Sequence, residues 1–139
     1  MRTPTLLAAV LVLVAPFLAH ADGMRIEPGQ WEFTTTSSGA MGGAPANKVH
    51  TQCIREDSMT PQRFTQEMKG CRIDEPKFDA SSMSWKMSCP SSAGAMTGSG
   101  SFRSTGSGIS GTIDVTMRMG DQEFPMTNRW TGRRLGACP

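Results

Sequence analysis

A chain of 139 residues with 14 basic and 12 acidic side chains has room for one hydrophobic core, not two. Its net charge of +2 is too small, and its single adjacent basic pair (Arg133-Arg134) too isolated, to displace phosphate counterions. Nucleic acid is therefore excluded as an expected partner.

The first segment reads as a targeting signal. Arg2 supplies a positive start, Leu6 to Ala19 is apolar apart from Pro16, and Ala19-His20-Ala21 gives a small-x-small cleavage site. Residues 1–21 are thus expected to be a signal peptide, and residues 22–139 a single antiparallel β domain. Losing Arg2 and no acid would lower the net charge from +2 to +1. The apolar run is short for a bilayer and no second one follows, so no integral membrane segment is expected in the mature chain.

In the mature part, Trp31 to Thr36 is an aromatic and β-branched run that predicts a strand. Ser37 to Asn47 is rich in Gly, Ala and Ser without a period, and reads as a loop and candidate lid. Lys48 to Cys53 predicts a strand with Val49, Thr51 and Cys53 on one face. The one helical signal follows: Ser58 or Thr60 to cap, Pro61 in the first turn, Phe64 and Met68 on one face, Gly70 to stop. From Cys71 onward the period becomes two. Arg72 to Asp79 is a strand interrupted by Pro76. Met83, Trp85, Met87 and Cys89 share a face, as do Met96, Gly98, Gly100 and Phe102. Ile109, Gly111, Ile113, Val115, Met117 and Met119 form a third set, and Phe124, Met126, Asn128 and Trp130 a fourth. Short connectors at Pro90–Gly94, Ser104–Gly108 and Gly120–Gln122 suit hairpins. Glycines within strands call for coiling or bulges. The expected fold is mainly β: a curved antiparallel meander or open barrel with one short helix, a flat sandwich being the alternative.

Cys53, Cys71, Cys89 and Cys138 are four cysteines without a C-x-x-C pair, which points to two disulfides rather than zinc. Three connectivities are open. The expected one joins Cys53 to Cys71 around the helix and Cys89 to Cys138 across a long loop. A catalytic thiol would need an activating histidine, and beyond the signal only His50 is present.

The order of short motifs resembles a known family. Pro28-Gly29-Gln30-Trp31-Glu32 is similar to its P-G-x-W-E opening, and Thr51-Gln52-Cys53 to its T-x-C segment. Met83 to Cys89 and Met96 to Gly100 resemble its central strands, and Thr131 to Cys138 its G-[KR]-R-L-G-x-C ending. This is the bacterial family called domain of unknown function 3617, small exported proteins of Gram-negative envelopes. The resemblance spans the mature chain and implies a periplasmic location. It brings no catalytic residues with it.

The remaining chemistry is sparse. There is no G-x-S-x-G, no H-E-x-x-H and no phosphate loop, and the pairs Glu56-Asp57 and Asp74-Glu75 point to opposite faces of a strand. No enzyme and no cofactor are expected. Trp31, Trp85, Met96, Phe102, Met117, Met119, Met126 and Trp130 all fall at inward positions. They fill a core or line a site for an apolar small ligand. The expected function is non-catalytic binding of such a ligand, or of an envelope partner protein, through the curved sheet. Alternatives are copper handling, with Met117, Met119 and Met126 as soft ligands, and a structural or stress-related envelope role without a ligand. No metal site is assigned.

Overall fold

The computed structural model describes residues 23–39, 45–66, 70–91 and 94–139. The signal segment at 1–21 lies outside these residues. Nine strands and one helical turn follow in chain order: β1 (Met24–Arg25), β2 (Gly29–Gly39), β3 (Ala46–Ile54), β4 (Ser58–Met59), α1 (Gln62–Thr65), β5 (Arg72–Phe78), β6 (Ser82–Ser91), β7 (Gly94–Ser104), β8 (Gly108–Met119) and β9 (Gln122–Gly136). Seven of them form one antiparallel sheet in the order β3-β2-β9-β8-β7-β6-β5, and β1 pairs with β4. The sheet does not close, since β3 and β5 remain its two edges. This is the mainly β, open and meandering architecture expected from the period-two runs.

The alternation dictates which face is buried. Trp31 and Phe33 on β2, Met83, Trp85 and Met87 on β6, Phe102 on β7, and Ile109 and Val115 on β8 all point inward and are buried. The opposite face carries the Ser, Thr and charged residues of the same strands, and no polar or charged residue is buried among the described residues. Helical turn α1 sets Phe64 on the inner face. Its ring lies 5.2 Å from that of Trp85 and 4.9 Å from that of Phe102.

Both edges carry features that discourage pairing with another chain. In β5 the register with β6 slips between Asp74 and Lys77, where Pro76 cannot donate to the ladder. The bulge places Glu75 at a φ of 50°. In β3 the charged, exposed Lys48 stands on the open edge. Two turns depend on glycine. Gly70 (φ 81°) ends the region after α1, and Gly120 (φ 61°) starts the two-residue turn between Met119 and Gln122.

Several expectations need correction. The disulfides are Cys53–Cys138 and Cys71–Cys89, with Cα separations of 5.5 and 4.1 Å, not Cys53–Cys71 and Cys89–Cys138. The reason is register. The β5–β6 pairing that sets Arg72 opposite Ser88 sets Cys71 opposite Cys89. Three strand-to-strand steps separate Cys89 on β6 from β9 and its C-terminal extension. Cys53 pairs with Gln30 on β2, and Gln30 pairs with Gly136 on β9, which brings the C-terminal segment back over β3.

Val49, Thr51 and Cys53 share one face of β3, as expected, and it is the outward one. Phe33 stands opposite His50 and Trp31 opposite Gln52, so His50, Gln52 and Ile54 face in while Val49 faces solvent. β2 runs through Gly39 and β3 begins at Ala46, shortening the expected loop; the lid assigned to it falls mainly on 40–44, outside the described residues. Ser58 is a strand residue paired with Arg25, and Met68 lies outside the described residues.

Candidate functional site

Two aromatic stacks organise the inner face. Trp31, Phe33 and His50 follow one another with ring centroids 5.8 and 5.6 Å apart. Trp85, Phe64 and Phe102 form the second. Trp130 on β9 bridges them edge-on, 6.4 Å from both His50 and Phe64. Each such pair contributes about 0.5–1.5 kcal/mol beyond its area burial.

Beside this bridge the inner face is not filled. A half-open cleft of about 610 Å³ runs between β3, α1 and the central strands. Ile109, Ile113 and Val115 of β8 form its floor, with Phe102 and Met96 of β7. Met126 and Trp130 of β9 and Phe33 of β2 complete the apolar wall. The polar lining consists of His50 and Gln52 on β3, Arg63 and Gln66 of the helical region, and Asn128 on β9. Among the described residues no Asp or Glu lines it.

Arg63 is fixed by an ion pair with Glu56 at 3.0 Å. The hydrogen bond from the Arg63 guanidinium holds the Glu56 carboxyl below its ordinary range. Asn128 accepts the Ser37 hydroxyl through Oδ1 at 2.6 Å. The indole N–H groups of Trp85 and Trp130 are buried and have no hydrogen-bond partner among the described residues.

Of the eight residues proposed as ligand-lining, the structure brings Met96, Phe102, Met126 and Trp130 together in the cleft. Trp31 and Trp85 lie deeper, fully buried in the core, with Trp31 Nε1 donating to the Glu27 carbonyl at 2.9 Å. Met117 and Met119 sit at the exposed end of β8, outside the cleft. Sequence reasoning missed Phe33, His50, Gln52, Arg63 and Phe64. Alternation could have found His50 and Gln52 had the β2–β3 register been known. The register also sets Met96 and Phe124, not Met126, opposite Met117. Among the described residues no group of three or more His, Cys, Asp and Glu side chains comes together to hold a metal ion, and no helix is long and apolar enough to cross a membrane.

Fold and site together define an open antiparallel sheet, stapled at two places, with one aromatic-walled cleft on its inner face. The chain belongs to the family described as Protein of unknown function (DUF3617), which it matches over residues 26–138. No match was found among curated proteins or among solved structures.

Three of the segments that carry the family resemblance, at 28–32, 51–53 and 131–138, meet at one end of the sheet. Trp31 stands opposite both Gln52 and Arg134, and Glu32 pairs with Arg133 at 2.9 Å. Arg134 Nε donates to the Pro28 carbonyl at 2.8 Å, and Cys53 is bonded to Cys138. These contacts lock the register of β3, β2 and β9, so this part of the signature frames the fold.

Proposed function

We propose that the protein is a non-catalytic, exported protein of the periplasm that takes an apolar small ligand into the cleft between β3, α1 and the central strands. One observation carries this reading. The inner face holds a cleft whose volume lies in the range of about 300–1,000 Å³ typical of small-molecule sites, with an apolar floor and a few polar groups at its rim.

A catalytic role finds little support in the lining. His50 is stacked on Phe33, and among the described cleft residues no carboxylate orients it for acid–base pairing. The export half rests on the N-terminal segment and on the two disulfides, which persist in oxidising compartments.

Recovery of the protein from the periplasmic fraction, followed by native mass spectrometry and solvent extraction, tests both halves. The expected result is a processed chain carrying an extractable apolar molecule. A chain retained in the cytoplasm would refute the export reading. A chain that is repeatedly empty and takes up no added apolar probe would refute the ligand reading.

A further inference from the structure

We propose that the ligand of this cleft is a single-chain amphiphile with an anionic, acceptor-only head group, in the simplest case a carboxylate, held at the rim where β3 meets α1. The inference rests on the ligand-binding reading above and adds the chemistry of the head.

Among the described residues that line the cleft, Arg63 carries the one full charge and no carboxylate is present. Arg63 gives one nitrogen to Glu56, but a guanidinium offers five N–H donors in a planar fork, so one ion pair leaves donors for a second carboxylate. Its side chain is only 32 % exposed, which weakens the screening of any pair it forms. Asn128 has committed its carbonyl to Ser37, which leaves its amide N–H groups for a ligand. Trp130 contributes its ring to the wall, its indole N–H being buried out of reach of a ligand. His50 and Gln52 each offer a donor as well as an acceptor from β3.

An anionic head pairs with Arg63 and accepts further hydrogen bonds from Asn128 and Gln52. A cationic head would be repelled by Arg63 and find Glu56 already paired, and a neutral hydroxyl would forgo the charge-assisted bond. The tail has its own match. Ile113, Val115, Met96 and Met126 give a branched floor with flexible thioether walls that adapt to an alkyl chain.

The test follows tryptophan emission of the purified protein, which has three Trp and no Tyr. It is titrated with laurate, dodecanol and dodecylamine below their aggregation limits. Laurate is expected to bind saturably and about tenfold or more tighter than dodecanol, the value of a charge-assisted hydrogen bond, with dodecylamine weakest. Arg63→Gln should bring laurate down to the level of dodecanol. Glu56→Gln, which removes the carboxylate competing for Arg63, should raise laurate affinity. Gln52→Leu, placed on the sheet and independent of the helical turn, should lower laurate affinity several-fold, about what one neutral hydrogen bond is worth. Equal affinity for laurate and dodecanol, or a preference for dodecylamine, overturns the head-group inference and leaves the cleft as a binding site. Failure of all three to bind overturns the ligand reading itself.

Discussion

The indole of Trp85 lies flat across Gly100, its register partner on β7, so that a Cβ at Gly100 would fall inside the indole ring atoms Cζ2, Cη2 and Cε2. The same device repeats along the inner face. Phe102 covers Gly111 and Phe33 covers Gly132, each ring resting on a cross-strand glycine. Glycine here is the space an aromatic ring occupies, and the rings shield a backbone that would otherwise be bare.

Gly100→Ala should therefore destabilise the fold by about 1–3 kcal/mol through overpacking against a fully buried indole. Ser99→Ala, one residue away on the exposed face, should stay within about 0.5 kcal/mol. Urea denaturation of the two variants checks the contrast. Equal midpoints would show that the ring–glycine contact does not constrain the sheet.

Among the described side chains of the helical turn, Phe64 is the one that packs against the core. Phe64→Ala should cost about 2 kcal/mol, less than the 3–5 typical of a fully buried Phe because the ring is only half-buried. It should also shift tryptophan emission to the red, since Trp85 and Trp130 both lose a neighbouring ring. Unfolding monitored by fluorescence reads both effects at once.

The two staples should differ in weight. In the chain-entropy picture the 18-residue separation of Cys71–Cys89 is worth about 3 kcal/mol and the 85-residue separation of Cys53–Cys138 about 4.5. Peptide mapping without reduction should recover these two pairs. Paired Cys→Ser variants should rank in the same order by denaturant midpoint.

Asp79 gives the β5–β6 turn a pH dependence. Its Oδ1 accepts the backbone N–H of Ser81 at 2.7 Å and of Ser82 at 2.8 Å, and its carboxylate also accepts the hydroxyls of both. These bonds, the Ser81 N–H foremost, hold its carboxyl below the ordinary value. A lowered folded-state pKa contributes stability that is fully present above the unfolded-state pKa and is lost as pH falls through the folded-state value. The wild type should thus lose its advantage over Asp79→Asn as acid is added below the ordinary carboxylate range. A stability difference independent of pH would contradict this role.

What the sequence made legible was decided by local alternation. The inward sets on β6 to β9 follow from period two, and the structure turns them inward except at the end of β8, where Met117 and Met119 are exposed. What it hid was decided by pairing between distant segments. Val49 and Thr51 are β-branched and look like core, yet the β2–β3 register turns them out and His50 and Gln52 in. The disulfide partners follow from the β5–β6 register, which a composition-based reading of residues 71–89 does not supply. Of the candidate lining, Met96, Phe102, Met126 and Trp130 come together because they lie where the sheet leaves space. Met117 and Met119 share their face and fall beyond it.

The central claim is that the cleft beside Trp130 is a ligand site, and filling it is the most direct test. Ile113 stands on the floor, opposite Gly100 and Asn128. Ile113→Trp would occupy the space a ligand needs. Isothermal titration of laurate into the wild type and into a folded Ile113→Trp variant should give one saturable site in the first and none in the second. Undiminished binding by Ile113→Trp, or no binding by the wild type, would contradict the account.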